Sequence, residues 1–168
     1  MWIRMPPMPA SYDTAQICIN GHMVNSSSVR RPHHNAAFCP KCGSATITAC
    51  PHCNGAIRGR LYYDDDPGSL NVPVPAFCQA CGKAFPWTAS AIETARLLAD
   101  ETDSLSPAER EELKSTFGDL VRDTPKTILA ITRFNKLMVK AGKGAAHAFR
   151  DILVDIASET AKKAIFGP

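Results

Sequence analysis

Apolar residues in the C-terminal half of the chain recur at the three- and four-residue spacing of amphipathic helices. Ser90 and Glu93 form an S-x-x-E capping box that predicts a helix start, and the buried face after it comprises Ile92, Ala95, Leu98 and Ala99. A second helix is predicted from the cap Ser106, with Glu109 closing another capping box, to Gly118.

A third helix is predicted from Thr124 and Pro125 to the glycines of "KAGKG" at 140–144. Its predicted buried face consists of Ile128, Ile131, Phe134, Met138 and Ala141. At 100° per residue, a basic stripe occupies about a third of the circumference on another face. The stripe is formed by Lys126, Arg133, Lys136, Lys140 and Lys143.

A last helix is predicted over about 145–166, with Asp151, Asp155 and Glu159 forming an acidic stripe. We expect this helix to fold back beside the third and to pair its acidic stripe with the basic one. A basic stripe left exposed would instead suit phosphates or acidic lipid. The many alanines of the last helix permit either a tight hairpin or a self-association seam, and the sequence does not choose between them.

Strand-like sequence is confined to the N-terminal half. The segment "AIRGRLYY" at 56–63 predicts a strand, "DDDPGS" a turn, and "LNVPVPAF" at 70–77 the returning strand. Because proline cannot donate to a ladder, Pro73 and Pro75 confine the return to an edge or an irregular strand. The pattern therefore predicts a β-hairpin here.

All seven cysteines lie between residues 18 and 81, and six of them form the C-x-x-C pairs "CPKC", "CPHC" and "CQAC". A structural zinc ion takes four Cys or His ligands, so the six cysteines supply one and a half sites. Cys18 and His22 in "CINGH" complete the count, with His33, His34 and His52 as rivals for the histidine. The predicted zinc ligands are Cys18, His22, Cys39, Cys42, Cys50, Cys53, Cys78 and Cys81, which hold two zinc ions.

An internal repeat suggests which pairs share an ion. "AFCPKCG" at 37–43 and "AFCQACG" at 76–82 are near copies, and each follows a less regular Cys turn that contains Asn-Gly. Sequential pairing joins the first two turns at one ion and the last two at the other. A cross-braced arrangement uses the same eight residues and stays an alternative.

Four protein ligands leave no open position on a zinc ion, so a non-enzymatic role is expected. Redox dithiols are one alternative, although the context is unlike a thioredoxin βαβ unit. A zinc-stapled nuclease of the H-N-H kind, suggested by "RPHHN", is another, but "CPKCG" follows where that fold needs a helix.

The net charge is only +3, and it is unevenly distributed. Residues 89–123 are acidic and residues 124–168 are basic, so the two blocks are expected to neutralise each other. Nucleic-acid binding remains an alternative, through Arg30, Arg31, Lys41, Arg58 and Arg60 with Tyr62 and Tyr63. No segment has the roughly 18 uncharged apolar residues of a membrane span. A cytoplasmic protein is expected, and membrane-surface contact is not.

The series "CINGH", "FCPKCG", "CPHCNGAIRG" and "FCQACGKAFPWT", followed by the helical region, resembles a bacterial family of uncharacterised proteins with N-terminal zinc ribbons. The resemblance implies a bacterial origin and no particular activity. We expect an α+β fold, with a flexible N-terminus at 1–14, tandem zinc ribbons at 15–88 and about four helices at 89–168. The expected function is a protein-interaction adaptor in a bacterial stress or defence system, binding a protein partner or a second copy through the helical region.

Overall fold

The computed structural model describes residues 11–63 and 71–167, and the chain divides between Trp87 and Thr88 into two compact units. The N-terminal unit, here the cysteine unit, contains small antiparallel sheets. The C-terminal unit, here the helical unit, is all α. The predicted α+β class is therefore confirmed. Within the described ranges, no helix is long and apolar enough to cross a membrane.

The strands of the cysteine unit are short. They are β1 (Ser11–Thr14), β2 (Gln16–Cys18), β3 (Met23–Asn25), β4 (Thr46–Ile47) and β5 (Arg58–Tyr62). The strands β3, β2 and β4 form a three-stranded antiparallel sheet in that order, and β1 pairs with β5 in a separate two-stranded sheet. The three-stranded sheet carries Cys18 at the end of its central strand.

The predicted pairing of the strand at 56–63 with the segment at 70–77 is wrong. β5 pairs antiparallel with β1, with Ser11 opposite Tyr62 and Tyr12 opposite Leu61. Residues 71–77 form no strand beyond one isolated bridge, because prolines 73 and 75 have no N–H to donate. The predicted turn at 64–69 lies outside the described residues.

Of the predicted flexible N-terminus at 1–14, residues 11–14 form β1, and residues 1–10 lie outside the described residues. Asp13 in β1 is buried, and its carboxylate accepts hydrogen bonds from the N–H groups of Val29 and Arg30, both at 3.1 Å. A buried carboxylate needs such donors, so Asp13 fixes β1 against the loop after β3.

The described residues of the helical unit form five α-helices. They are α1 (Pro86–Asp100), which begins at the end of the cysteine unit, α2 (Pro107–Leu120), α3 (Pro125–Ala141), α4 (Lys143–Leu153) and α5 (Glu159–Ala161). A π-helical turn, Lys162–Phe166, follows α5 directly. Phe149 packs against Phe117 and Phe134, with ring centroids 5.8 and 6.3 Å apart, so α2, α3 and α4 share one aromatic core.

Two of the predicted helix starts are confirmed, and one is wrong. Ser106 caps α2 in a capping box with Glu109, and Thr124 caps α3. The first helix begins at Pro86, four residues before the predicted Ser90, because proline suits the first helical position, where no N–H partner is needed.

Gly118 does not end α2, which continues to Leu120. Leu120 is 1% exposed, so burial of its side chain favours two more helical residues over a stop at the glycine. Ile128, predicted to be buried, is instead 61% exposed on the outer face of α3. Ile131, Phe134 and Met138 are buried as predicted.

The predicted single helix over 145–166 is broken after Leu153. Ser158 explains the break: its N–H donates to the carbonyl of Leu120 at 2.9 Å, and its side chain accepts from Ala161 as the cap of α5. A continuous helix would use that N–H internally, so the bond to α2 requires an interruption.

The acidic and basic stripes do not pair as predicted. In the described residues, Asp151 pairs with His147 and Glu159 with Lys162, each within four residues along the chain. The basic stripe of α3 contacts α2 instead: Lys140 Nζ lies 2.7 Å from Glu109, and Arg133 lies 3.7 Å from Glu112. All five stripe residues are exposed.

Gly59 in β5 provides a test of the N-terminal packing. A methyl group there would collide with the carbonyl oxygen of Ser26 and lie 2.8 Å from the backbone nitrogen of Ala15. We expect Gly59→Ala to cost about 2 kcal/mol or more in the free energy of unfolding, measured by urea denaturation. Gly118→Ala, in α2 where a methyl group meets nothing within 4 Å, should gain up to about 1 kcal/mol. Equal effects of the two substitutions would contradict the described contacts of β5.

Glu109 predicts a pH dependence of the helical unit. The hydrogen bond from Lys140, together with the N–H and hydroxyl of Ser106, lowers the pKa of Glu109 to about 2. Because its pKa is depressed in the folded state, the ionised Glu109 carboxylate stabilises the fold fully at pH values above its ordinary pKa of 4.5. This stabilisation is lost as the pH falls toward 2. The stability difference between the wild type and Glu109→Gln should therefore shrink between pH 5 and pH 2, measured by urea unfolding at 222 nm. Asp155→Asn, at an exposed carboxylate outside these contacts, is the control, and a difference that does not change with pH would contradict the Glu109 contacts.

Candidate metal centres

The structure brings the eight predicted ligands into two groups of four. One contains Cys18, His22, Cys39 and Cys42, and the other contains Cys50, Cys53, Cys78 and Cys81. Within each group, one ligand atom per residue lies within 4.8 Å of all the others. The grouping follows chain order, as in sequential pairing.

Three of the four turns share one backbone pattern. In "CPKCG", the N–H of Gly43 donates to the carbonyl of Cys39, and the N–H of Cys39 donates to the carbonyl of Ser44, both at 2.8 Å. The same two bonds recur in the turns that begin at Cys50 and Cys78. Each turn is closed by a bridge between the residue before its first Cys and an alanine: Phe38 with Ala45, Ala49 with Ala56, and Phe77 with Ala84. The repeat in the sequence is therefore a repeat of one local structure.

Each of these turns needs one residue with a positive φ, at the position after the second Cys. Gly43 and Gly82 have φ of 69° and 71°, and Asn54 takes the same position with φ of 59°. Asparagine tolerates this left-handed region better than most residues, so "CPHCN" can form the same turn as "CPKCG". The "CINGH" turn closes one residue earlier, with a positive φ at Gly21.

The distances in the first group fit a tetrahedral zinc ion. Zn–S bonds of 2.3 Å and Zn–N bonds near 2.0 Å imply S···S edges of about 3.8 Å and S···N edges of about 3.5 Å. The Cys18 and Cys42 sulfurs are 3.8 Å apart, and His22 Nδ1 lies 3.5 Å from the Cys18 sulfur and 3.6 Å from that of Cys39. These residues thus fit zinc, with His22 binding through Nδ1.

The second group consists of four cysteines with similar spacing. The Cys50 and Cys81 sulfurs are 3.9 Å apart, and those of Cys53 and Cys78 are 3.7 Å apart. These sulfur pairs come from turns separated by 31 and 25 residues along the chain. All seven cysteines are free thiols, and none forms a disulfide. The soft sulfur donors favour zinc over calcium or magnesium.

Hydrogen bonds favour the thiolate form at one cysteine of each group. The N–H and hydroxyl of Ser44, with the amide of Asn20, lower the pKa of Cys42 to about 5. The N–H groups of Cys81 and Ala80 lower the pKa of Cys78 to about 7. The thiolate is the form that binds metal, so both groups contain a sulfur prepared for binding.

Two other thiols, Cys53 and Cys18, have raised pKa values. An N–H bond from Gly55 lowers the pKa of Cys53, but the neighbouring thiols and burial outweigh it and raise that pKa to about 12. Burial is likewise the main cause that raises the pKa of Cys18. A bound divalent cation would reverse this balance, because it stabilises every thiolate around it.

Asn20 is a functional candidate that the sequence reasoning missed. Its side-chain amide donates to the Cys42 sulfur at 3.5 Å and to the Ser44 hydroxyl at 2.9 Å. Such partners orient metal ligands. The sequence does contain a signal for this role, the Asn-Gly of "CINGH", but the pattern is interpreted above only as a turn.

The rival histidines lie outside both groups. His33 and His34 form an exposed 3-10 turn with Pro32, their rings 4.1 Å apart. His52, between Cys50 and Cys53, is exposed and belongs to neither ligand set. His22 is therefore the histidine that the fold places among the cysteines.

Trp87 contacts both halves of the cysteine unit. Its indole N–H donates to the carbonyl of Pro75 at 2.8 Å, its ring stacks on Phe85 at 4.6 Å, and its Cβ lies against Gly21. Gly21 belongs to the first ligand turn, whereas Pro75 precedes the last one. The side chain thus joins the two metal-ligand groups.

The match to a protein-family model spans residues 11–165. The chain belongs to DUF2321, described as an uncharacterized protein conserved in bacteria. Searches of the curated proteins and of the solved structures found no match. The DUF2321 match includes all eight predicted cysteine and histidine ligands and all five helices, so the resemblance to a bacterial family is confirmed.

We expect the DUF2321 protein to bind two zinc ions per chain and His22→Ala to bind one. The substitution leaves the first group with three metal donors, whereas the second group keeps all four. Native mass spectrometry of the zinc-loaded proteins gives the stoichiometry directly. His52→Ala, which removes a histidine adjacent to two ligands, should keep both ions. A loss of zinc in His52→Ala, or its retention in His22→Ala, would exclude this ligand set.

Proposed function

We propose that the protein is a non-enzymatic zinc-binding interaction module, in which two zinc ribbons hold a rigid apolar surface for a protein partner. Four protein donors in each group would complete a tetrahedral zinc ion without an open position for substrate, which supports a structural role. The observation that carries the proposal is a row of exposed apolar side chains on the first ribbon.

That row crosses three adjacent segments of the first ribbon. Phe38 pairs with Ala45, and Ile19 donates its N–H to the Ala45 carbonyl at 3.1 Å. Opposite residues of antiparallel strands point to the same face, so the side chains of Ile19, Ala45 and Phe38 lie side by side. Phe38 is 65% exposed and Ile19 is 41% exposed. An ordered sheet that leaves an aromatic ring in solvent suits a binding surface.

The second ribbon provides an internal comparison. Phe77 occupies the position equivalent to Phe38, in a near copy of the same seven residues. Phe77 is partly buried, and it lines a small cleft of about 140 Å³ together with Arg58, Pro75 and Phe85. The chain therefore covers one of its two equivalent rings and leaves the other open. We infer that an apolar segment of a partner protein covers Phe38.

Zinc would be required for this surface. Phe38 directly precedes the ligand Cys39, and Ile19 directly follows the ligand Cys18. These segments meet where the first ligand group holds them together. Removal of the metal would release them and disperse the row, since a structural zinc site contributes on the order of 10 kcal/mol to folding.

Nucleic-acid binding is the second candidate, and it rests on a different surface. The guanidinium of Arg30 lies 4.1 Å from the ring centre of Tyr62, and that of Arg58 lies 4.2 Å from that of Tyr12. Arginine and tyrosine side by side suit phosphates and unpaired bases. Asp13 weighs against this candidate, because its carboxylate lies 4.0 Å from the Arg30 side chain and competes with phosphate.

A comparison of two aromatic variants tests the proposal. Zinc-loaded wild type, Phe38→Ser and Tyr63→Ser are used to capture proteins from a nuclease-treated bacterial lysate, and the partner lost only with Phe38→Ser is then purified. Tyr63 is the control because it is 52% exposed and lies outside the row. Direct titration should show that Phe38→Ser weakens binding about 10- to 100-fold, as expected for one buried aromatic ring. Binding of the purified partner should also disappear with a zinc chelator and change little with salt.

Two outcomes would refute the proposal. The first is identical capture by the two variants. The second is salt-sensitive binding of oligonucleotides that is lost in Arg58→Ala but kept in Phe38→Ser, which would favour the second candidate.

A further inference from the structure

The helical unit exposes large apolar side chains on two helices of opposite charge. In the part of this unit that the structure describes, they are Leu97 on α1 and Ile128, Leu129 and Val139 on α3, exposed by 59%, 61%, 51% and 87%. The first lies among carboxylates, whereas the other three lie among cations. The two faces therefore complement each other in charge and share an apolar centre.

The α1 face is acidic. Glu93, Leu97 and Glu101 are spaced by four residues, and Glu101 continues the helical pattern because its N–H bonds to the Leu97 carbonyl at 3.2 Å. Side chains at this spacing form one stripe. Arg96 offsets part of the charge through its 3.8 Å pair with Glu93, but Glu101 has no ion pair among the described residues.

The α3 face is basic. Ile128, Thr132 and Val139 lie within about 40° of one another on the helix, and Lys136 borders them at about 80° from Ile128. Lys136 is exposed and forms no ion pair in the described part of the chain. Lys140 differs, because it is already paired with Glu109 of α2. Lys136 is thus the cation on this face that is available to a carboxylate from outside.

The dimensions of the two faces agree. At 1.5 Å per residue, Glu93 to Glu101 spans about 12 Å, and Ile128 to Val139 spans about 16 Å. A helix laid along α3 with its leucine between Ile128 and Val139 brings one of its glutamates beside Lys136. The sequence of this chain supplies such a helix in α1.

We propose that the protein associates with a second copy of itself, with the acidic face of α1 from one copy docked on the basic face of α3 from the other. Each copy carries both faces, so two such contacts related by a twofold axis close a dimer. Apolar burial of Leu97, Ile128 and Val139 provides the attraction, and pairing of Glu101 with Lys136 fixes the register. This surface is separate from the apolar row of the first ribbon.

A charge exchange tests the contact. In sedimentation velocity at about 50 mM salt, where surface charges are weakly screened, the wild type should have twice the monomer mass or more. Lys136→Glu and Glu101→Lys should each sediment as monomers, because each places like charges together. An equimolar mixture of the two variants and the double variant should both restore association, since opposite charges then meet again.

Matched controls separate this contact from general effects of charge. Lys163→Glu and Asp155→Lys make the same changes at exposed residues of the helical unit outside the two faces, and both should associate like the wild type. Phe38→Ser should also associate normally, so failure of the proposed ribbon surface leaves this test unaffected. Circular dichroism at 222 nm verifies that every variant is folded.

Three outcomes would overturn the proposal. They are a wild type that remains monomeric at about 100 μM, exchange variants that associate like the controls, and failure of both the mixture and the double variant to restore the mass. In the first case, the two faces would belong to other partners. In the other two, the association would use a different surface.

Discussion

The cysteine unit depends on holding sulfurs together from turns that are distant along the chain. Cys18 and Cys42 are separated by 24 residues, and Cys50 and Cys81 by 31. Apart from cysteines, the buried apolar residues of this unit are few among those described: Ala15, Ile17, Ile57, Phe85 and Trp87. So small a core cannot offset the entropy of ordering short strands and long loops. The two ligand groups could each hold a metal ion, and metal binding would then be coupled to the folding of this unit.

The helical unit is stabilised differently, by an aromatic and aliphatic core between α2, α3 and α4. The packing of this core determines which charged residues form ion pairs. Among the described residues, two ion pairs join the acidic block to the basic block, and both connect the neighbouring helices α2 and α3. Apolar burial decides which helices are adjacent, and surface pairs of a few tenths of a kcal/mol form between whichever charges then meet.

The sequence predicts best where one local constraint dominates. A C-x-x-C turn is a local motif, so its ligands are evident from spacing, and Ser106 with Glu109 forms a capping box within four residues. The partner of β5 depends on a contact between residues near 12 and near 61, which no local pattern records. The break at Ser158 is similar, because its cause is the carbonyl of Leu120 on another helix. Asn20 shows a third limit of prediction from the sequence, because one residue forms a turn and also donates a hydrogen bond to a ligand sulfur.

Burial within the ligand turns is uneven, and this has a kinetic consequence. Cys18, Cys39, Cys50 and Cys78, the first cysteines of their turns, are buried, whereas Cys42, Cys53 and Cys81 are exposed. A chelator, an oxidant or a competing metal arriving from solvent meets the exposed sulfurs first, while the buried ones stay shielded by the ribbon. Exchange at each centre would thus proceed from the outer sulfur inward, through states in which the buried donors still hold the chain in its fold.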